Sequence, residues 1–186
     1  DTTLTNSDLH YEECELTESI CSESNLTFGS CESNMIKFKT SNISESFVGK
    51  EMTVSMTLNG DTENPFQLGV YKVYSEVPTS DRSAKDVTAY DKMYDIINSD
   101  VSDWYNTLLP NADSTVTLKE FRDSFAAYFG IEQEEITLSN DSMTIERTIE
   151  PSQLSGKDVI FAICEINGCF GHIGRDNKLK YVILDN

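Results

Sequence analysis

The stretch "CEINGCFGHIGRDNKLKYVIL", Cys164 to Leu184, gathers two cysteines, a histidine and an arginine–aspartate pair within a short span. Thiolate and imidazole are the chemistry of zinc ligation and of nucleophile–base pairs. Cys164, Cys169 and His172 have the spacing Cys-x4-Cys-x2-His. That spacing is loose for a structural zinc site, which ordinarily carries a tight Cys-x2-Cys knuckle and four ligands, and no fourth ligand is near. A thiol nucleophile needs a base, and His10 and His172 are the only two histidines. Neither Cys164 nor Cys169 has the flanking motif of a thiol enzyme. The expectation is that both are buried as small hydrophobes, and that His172, set in a strand with Phe170 and Ile173, lies on the solvent side.

Carboxylate pairs are the other chemical candidates: Asp91/Asp95, Asp100/Asp103 and Glu134/Glu135. None belongs to an Asp-x-Asn-x-Asp-Gly calcium loop. Asp100 and Asp103 fit better as charges at a helix start. Acid–base catalysis would need two carboxylates facing each other across a cleft. The sequence has no Gly-x-x-x-x-Gly-Lys loop, no Gly-x-Gly-x-x-Gly after a strand and no Gly-x-Ser-x-Gly elbow. The expectation is therefore no catalytic residue, no metal ligand and no cofactor.

The elements that carry these residues are legible. Period-2 alternation marks strands at Met35–Lys39, Met52–Leu58 and Phe66–Val77, with another at "KDVTAY". Asn59-Gly60 opens one turn, and Pro78, Ser80 and Asp81 mark the next. Short strands in this order predict an antiparallel barrel or sandwich-like unit. From Asp91 the spacing becomes helical, with Met93, Ile96 and Ile97 on one face. Asp100 is placed to cap a second short helix that Pro110 ends. "TLKEFRDSFAAYFG" is the clearest helix: Thr117 and Glu120 form a capping box, and Leu118, Phe121, Phe125, Tyr128 and Phe129 form an apolar stripe that Gly130 closes.

"EITLSN" and "SMTIERTI" read as two strands around a turn at Asn140-Asp141. Pro151 breaks that pattern. Ser155 then caps a helix whose buried face is Val159, Ile160, Ile163 and Ile166, closed by Gly168. A hairpin follows, "CFGHIG" and "LKYVIL" around "RDNK". The fold class is thus α+β: antiparallel β-rich units with a helical insertion and a C-terminal helix plus β-hairpin. The expected organisation is a β-rich domain over 1–90, a helical insertion over 91–130, and an α+β segment over 131–186 that packs back on the β-rich unit.

Bulk properties narrow the function classes. The 186 residues hold 38% hydrophobic side chains, enough for a packed core. No apolar run approaches the ~18 residues of a membrane span. With 32 acidic against 14 basic residues, the formal net charge is −18, which repels nucleic acid and anionic membranes. Five cysteines, Cys14, Cys21, Cys31, Cys164 and Cys169, make no even framework, so a reducing compartment during assembly is expected. The sequence opens at Asp1 without methionine or a signal-like apolar segment, and the expectation is a start made by processing or excision.

Three segments in order carry a resemblance: "LTESICSESNLTFGSCESNMIKFKT", "FQLGVYKVYSEVPTSDRSAKDVTAYDKMYDI" and "DVIFAICEINGCFGHIGRDNKLKYVIL". Together they resemble the central tail-hub (baseplate hub) proteins of tailed bacteriophages and prophages of Gram-positive bacteria. The matching motifs are Gly69 to Val73, Val87 to Met93, and Gly168 to Leu179. The resemblance implies a structural tail-tip protein, commonly a homo-trimeric ring, that joins tube and distal-tail proteins to a spike or fibre. It implies a place in the virion tail, assembled in the bacterial cytoplasm, with other tail proteins as partners and no direct nucleic-acid binding. An acidic surface beside a DNA conduit would repel the DNA rather than hold it. Hub proteins are usually longer, with host-binding or lytic C-terminal regions, and no such activity is carried over. Two other readings stay open: a bacterial surface or secreted adhesion module, and a cell-wall-degrading tail enzyme using Cys169 and His172.

Overall fold

In the computed structural model, residues 3–21, 27–59, 61 and 63–184 are described. The chain divides into two compact units: Asp1–Glu18 with Ser33–Lys92, and Ser19–Glu32 with Met93–Asn186.

The first unit is one antiparallel five-stranded sheet, built from β1 (Glu15–Thr17), β2 (Met35–Thr40), β3 (Glu51–Met56), β4 (Phe66–Pro78) and β5 (Lys85–Tyr90). The order is β1-β2-β5-β4-β3, so β1 and β3 are its edges and the sheet stays open rather than closing into a barrel. Alternation decides its faces. Ile36 and Phe38 of β2, Tyr71 and Val73 of β4, and Val87 and Ala89 of β5 point to one side and are buried with Phe47. Burying each large side chain contributes ~1.5–3 kcal/mol. Bulges at Val54/Ser55 and Val73/Ser75 shift the β3–β4 and β4–β5 registers, which strengthens the local twist. Asn59 adopts a left-handed φ of 53° in the turn after β3. Its expected partner Gly60 lies outside the described residues.

The second unit is mixed, with helices and short strands. It contains α1 (Lys92–Ile97, which starts at the unit boundary), α2 (Ser102–Leu108), α3 (Leu118–Tyr128) and α4 (Gly156–Ile166). Two small antiparallel pairs complete it: β6 (Thr115–Thr117) with β7 (Thr144–Glu146), and β8 (Cys169–Ile173) with β9 (Leu179–Ile183). Thr117 caps α3 as the sequence predicts: its side chain accepts from the Glu120 N–H at 3.2 Å, and the Glu120 carboxylate accepts from the Thr117 N–H at 2.8 Å. Gly130 follows the helix with φ of 62°, the left-handed conformation that glycine enters most cheaply. Ser155 caps α4 by accepting from the Lys157 N–H at 3.0 Å. Asp100 accepts from the N–H and hydroxyl of Ser102 at 2.9 and 2.6 Å, at the start of α2.

The core of this unit sets Trp104 edge-on to Phe121 and Phe125, each at a centroid distance of 5.0 Å. Met93, Leu109, Leu118, Ile160, Ile163 and Leu179 pack in the same cluster. Two members of the expected stripes are not core: Tyr128 is 50% exposed and Ile166 is 38% exposed. Both sit in the last turn of their helix, beyond the packed face.

The hairpin expected between 135–140 and 142–149 does not form. β7 pairs instead with β6, in the register Thr115↔Glu146, Val116↔Ile145 and Thr117↔Thr144. The cause is the turn itself. Asp141 is buried, its carboxylate accepting the Leu138 N–H at 2.9 Å and engaging Arg122, which folds 138–141 inward as a tight turn. Upstream, the Glu134 N–H donates to the Leu179 carbonyl and the Leu179 N–H donates to Glu132, so this backbone binds β9.

Candidate functional site

The cysteines of the opening motif lie in the second unit and are fully buried: Cys164 inside α4 and Cys169 at the start of β8. A third cysteine joins them that the motif did not include. Cys31 is 1% exposed and forms an isolated parallel bridge with Gly171. Its Sγ lies 3.6 Å from Cys164 Sγ, and Cys169 Sγ lies 3.5 Å from the Cys164 carbonyl oxygen. The contacts to Cys169 and Cys31, together with burial, push the Cys164 thiol well above the ordinary range. A thiol held neutral is a poor nucleophile and a poor metal ligand. His172 is the one half-buried residue of β8, between buried Gly171 and Ile173. Among the described residues, no group of three or more His, Cys, Asp or Glu side chains is arranged to hold a metal ion.

The other candidates are engaged in the scaffold. His10 belongs to the first unit and its Nε2 contacts Ser41 Oγ at 3.0 Å. Asp91 is 3% exposed and accepts the Asn34 N–H at 3.0 Å. Asp100 is held below the ordinary carboxylate range by the Ser102 hydroxyl and N–H. Asp103 sits in the first turn of α2, where a negative charge is favoured. Glu134 and Glu135 are solvent-facing.

A surface depression of about 300 Å³ in the first unit is lined by Glu12, Glu13, Cys14, Glu15, Lys37 and Asp86 among others. Lys39 bridges Glu13 and lies 3.8 Å from Asp86. Cys14 is exposed at this rim, and partial desolvation raises its thiol.

What the first unit does present is apolar surface at the far end of its β3–β4 hairpin. Met56 and Phe66 are paired across the strands and are 43% and 46% exposed; Leu58, just beyond, is 59% exposed. On monomers, large exposed side chains gathered in one place mark contact surfaces. Among the described residues β3 is paired on one side only, by β4, and so forms an edge of the sheet. These features suit protein–protein contact.

Sequence reasoning missed the buried cations. Lys85 is 4% exposed, donates to the Glu45 carbonyl and to Glu76 Oε1 at 3.0 Å, and lies 4.0 Å from the centre of the Phe47 ring. Glu76 also accepts the Phe47 N–H at 2.6 Å, so the pair fastens residues 45–47 over the sheet. Arg122, 2% exposed, makes a two-pronged pair with Asp141, with both N···O distances 2.8 Å. The signal was there. Lys85 shares the alternation of Val87 and Ala89, and Arg122 falls four residues after Leu118 on the apolar stripe of α3.

No protein-family model matches the sequence, and no curated protein does. Solved structures do share the fold, and three tail proteins are among them. The 43 kDa tail protein of prophage MuSo2 from Shewanella oneidensis superposes with a TM-score of 0.54 at 12% identity, covering 81% of this chain and 46% of its own. Prophage tail protein gp18 from Listeria monocytogenes EGD-e gives 0.54 at 16% identity over 95% of this chain and 46% of its own. The tail protein from Neisseria meningitidis MC58 gives 0.52 at 11% identity, covering 80% and 41%. This chain therefore has a fold found in prophage tail proteins, and it spans less than half the length of each of these three.

Proposed function

We propose that this chain is a structural component of a phage or prophage tail, placed at the tail tip as a hub that joins tube and distal-tail proteins to a spike or fibre. The observation that carries the proposal is the shared fold with three tail proteins, two of them from prophages and one of these matched over 95% of this chain. The side-chain chemistry supports it. The Lys85–Glu76 and Arg122–Asp141 pairs are fasteners, and the accessible features are an edge strand and an apolar hairpin end. In this reading the chain carries out no catalysis and binds no cofactor. Its partners are other tail proteins and further copies of itself in a trimeric ring, in a virion tail assembled in the bacterial cytoplasm. Its net charge of −18 keeps it from binding the DNA that passes.

Light scattering over a range of concentrations tests the ring. The expected result is a species of about three times the 20.9 kDa chain mass that grows with concentration. A mass that stays at that of one chain throughout would overturn the trimeric part of the proposal.

A further inference from the structure

Three features of the cysteine cluster are unused by the proposed role: its geometry, its span in sequence, and the glycine beside it. Cys31 and Cys164 are 133 positions apart, yet their sulfurs lie 3.6 Å from each other in the core of the second unit. Cys31 reaches that place on residues 27–32, which run beside β8: the Gly29 N–H donates to the Cys169 carbonyl at 3.0 Å, and the Phe28 and Phe170 rings meet tilted at a centroid distance of 5.4 Å. Gly171 leaves room for both sulfurs. A Cβ there would sit 2.7 Å from Cys31 Sγ and 3.0 Å from Cys164 Sγ.

We propose that Cys31 and Cys164 are a modification site, a thiol pair that closes to an intramolecular disulfide when the protein meets a disulfide oxidant. A disulfide needs sulfurs about 2.05 Å apart. From 3.6 Å, each sulfur has roughly 0.8 Å to travel, within reach of a modest side-chain rotation. Cys169 is the rival partner: its thiol also contacts the Cys164 thiol, while its Sγ lies 3.5 Å from the Cys164 carbonyl oxygen.

The chemistry is thiol–disulfide exchange with a small-molecule disulfide such as oxidised glutathione. Cys31 loses its proton and attacks one sulfur of the oxidant, forming a mixed disulfide and releasing one glutathione thiolate. Cys164 loses its proton and attacks the Cys31 sulfur, forming the protein disulfide and releasing the second thiolate. Two protein S–H bonds become one S–S bond, and the oxidant is reduced to two thiols. Cys31 goes first because its short, irregular segment opens at lower cost than the hydrogen-bonded last turn of α4, where Cys164 lies. The contacts to Cys169 and Cys31, together with the burial, that hold the Cys164 thiol neutral make the reaction slow in the closed protein. The product ties residues 27–32 to α4.

The full chain is incubated with oxidised glutathione in sub-denaturing urea, blocked with N-ethylmaleimide and mapped without reduction. The expected result is a linked peptide containing Cys31 and Cys164, about 2 Da lighter than its two reduced halves and separated by dithiothreitol. A map with both residues alkylated or glutathionylated, or with Cys164 linked to Cys169, overturns the proposal. Cys14→Ala should keep the linked peptide, and Cys31→Ala should lose it.

Discussion

Replacing Asp141 by asparagine tests how the second unit is held. Arg122 and Asp141 have side-chain exposures of 2% and 9%. The guanidinium donates to both carboxylate oxygens at 2.8 Å, and also to the Ile136 carbonyl at 2.9 Å. Asparagine keeps the shape and one acceptor but removes the charge. Leaving a buried cation without its anion costs ~3–5 kcal/mol. The remaining acceptors, Ile136 and Gln133, place the expected loss near ~3 kcal/mol. With a urea slope of ~2 kcal/mol per molar, the unfolding midpoint falls by ~1.5 M.

Trp104 is the only tryptophan and lies in the same unit, donating to Ser124 on α3 at 3.0 Å. Its fluorescence therefore follows the unit that contains the pair. Acidification adds a check on sign. Arg122 holds the Asp141 carboxyl below its ordinary value of 3.8. The stabilisation is present above that value and is lost as pH falls through the folded-state pKa. The gap between wild type and Asp141→Asn should be constant from about pH 7 to pH 5 and close below about pH 4. A midpoint change under ~0.3 M, or a gap that widens in acid, would refute the reasoning.

Two further outcomes are expected. Phe125→Ala removes a ring that is 1% exposed and touches both Trp104 and Phe129, so it should cost ~3–5 kcal/mol in the tryptophan-monitored transition; a loss below ~1 kcal/mol would mean the site collapses freely. In the first unit, burial alone would raise the Glu76 carboxyl, but the Phe47 N–H and Lys85 hold it down. Glu76→Gln should therefore speed hydrogen exchange at the Phe47 amide by about tenfold, and unchanged exchange would show that the carboxylate does not fasten residues 45–47.

Local physics explains what could be read in advance. "KDVTAY" is β5 with the bounds expected, because alternation and the flanking turn are both local. The Thr117 capping box and the hairpin around "RDNK" are local in the same sense. Residues 135–140 were misread because a strand-like pattern says nothing of the buried Arg122 that draws Asp141 inward. The bridge between Cys31 and Gly171 joins residues far apart in sequence, and "LTFGSC" has no periodicity to announce it. The candidate site was legible chiefly as an absence of enzyme motifs. The apolar end of the β3–β4 hairpin became visible only when the Met56↔Phe66 register was known.

The central claim is that the chain is a tail component. Its most direct test is immunogold electron microscopy of the phage or prophage particles encoded with this gene, using antibody raised against the chain. The account predicts label confined to the tail tip. Particles with complete tails and no label there, or label only on the host cell surface, would contradict it.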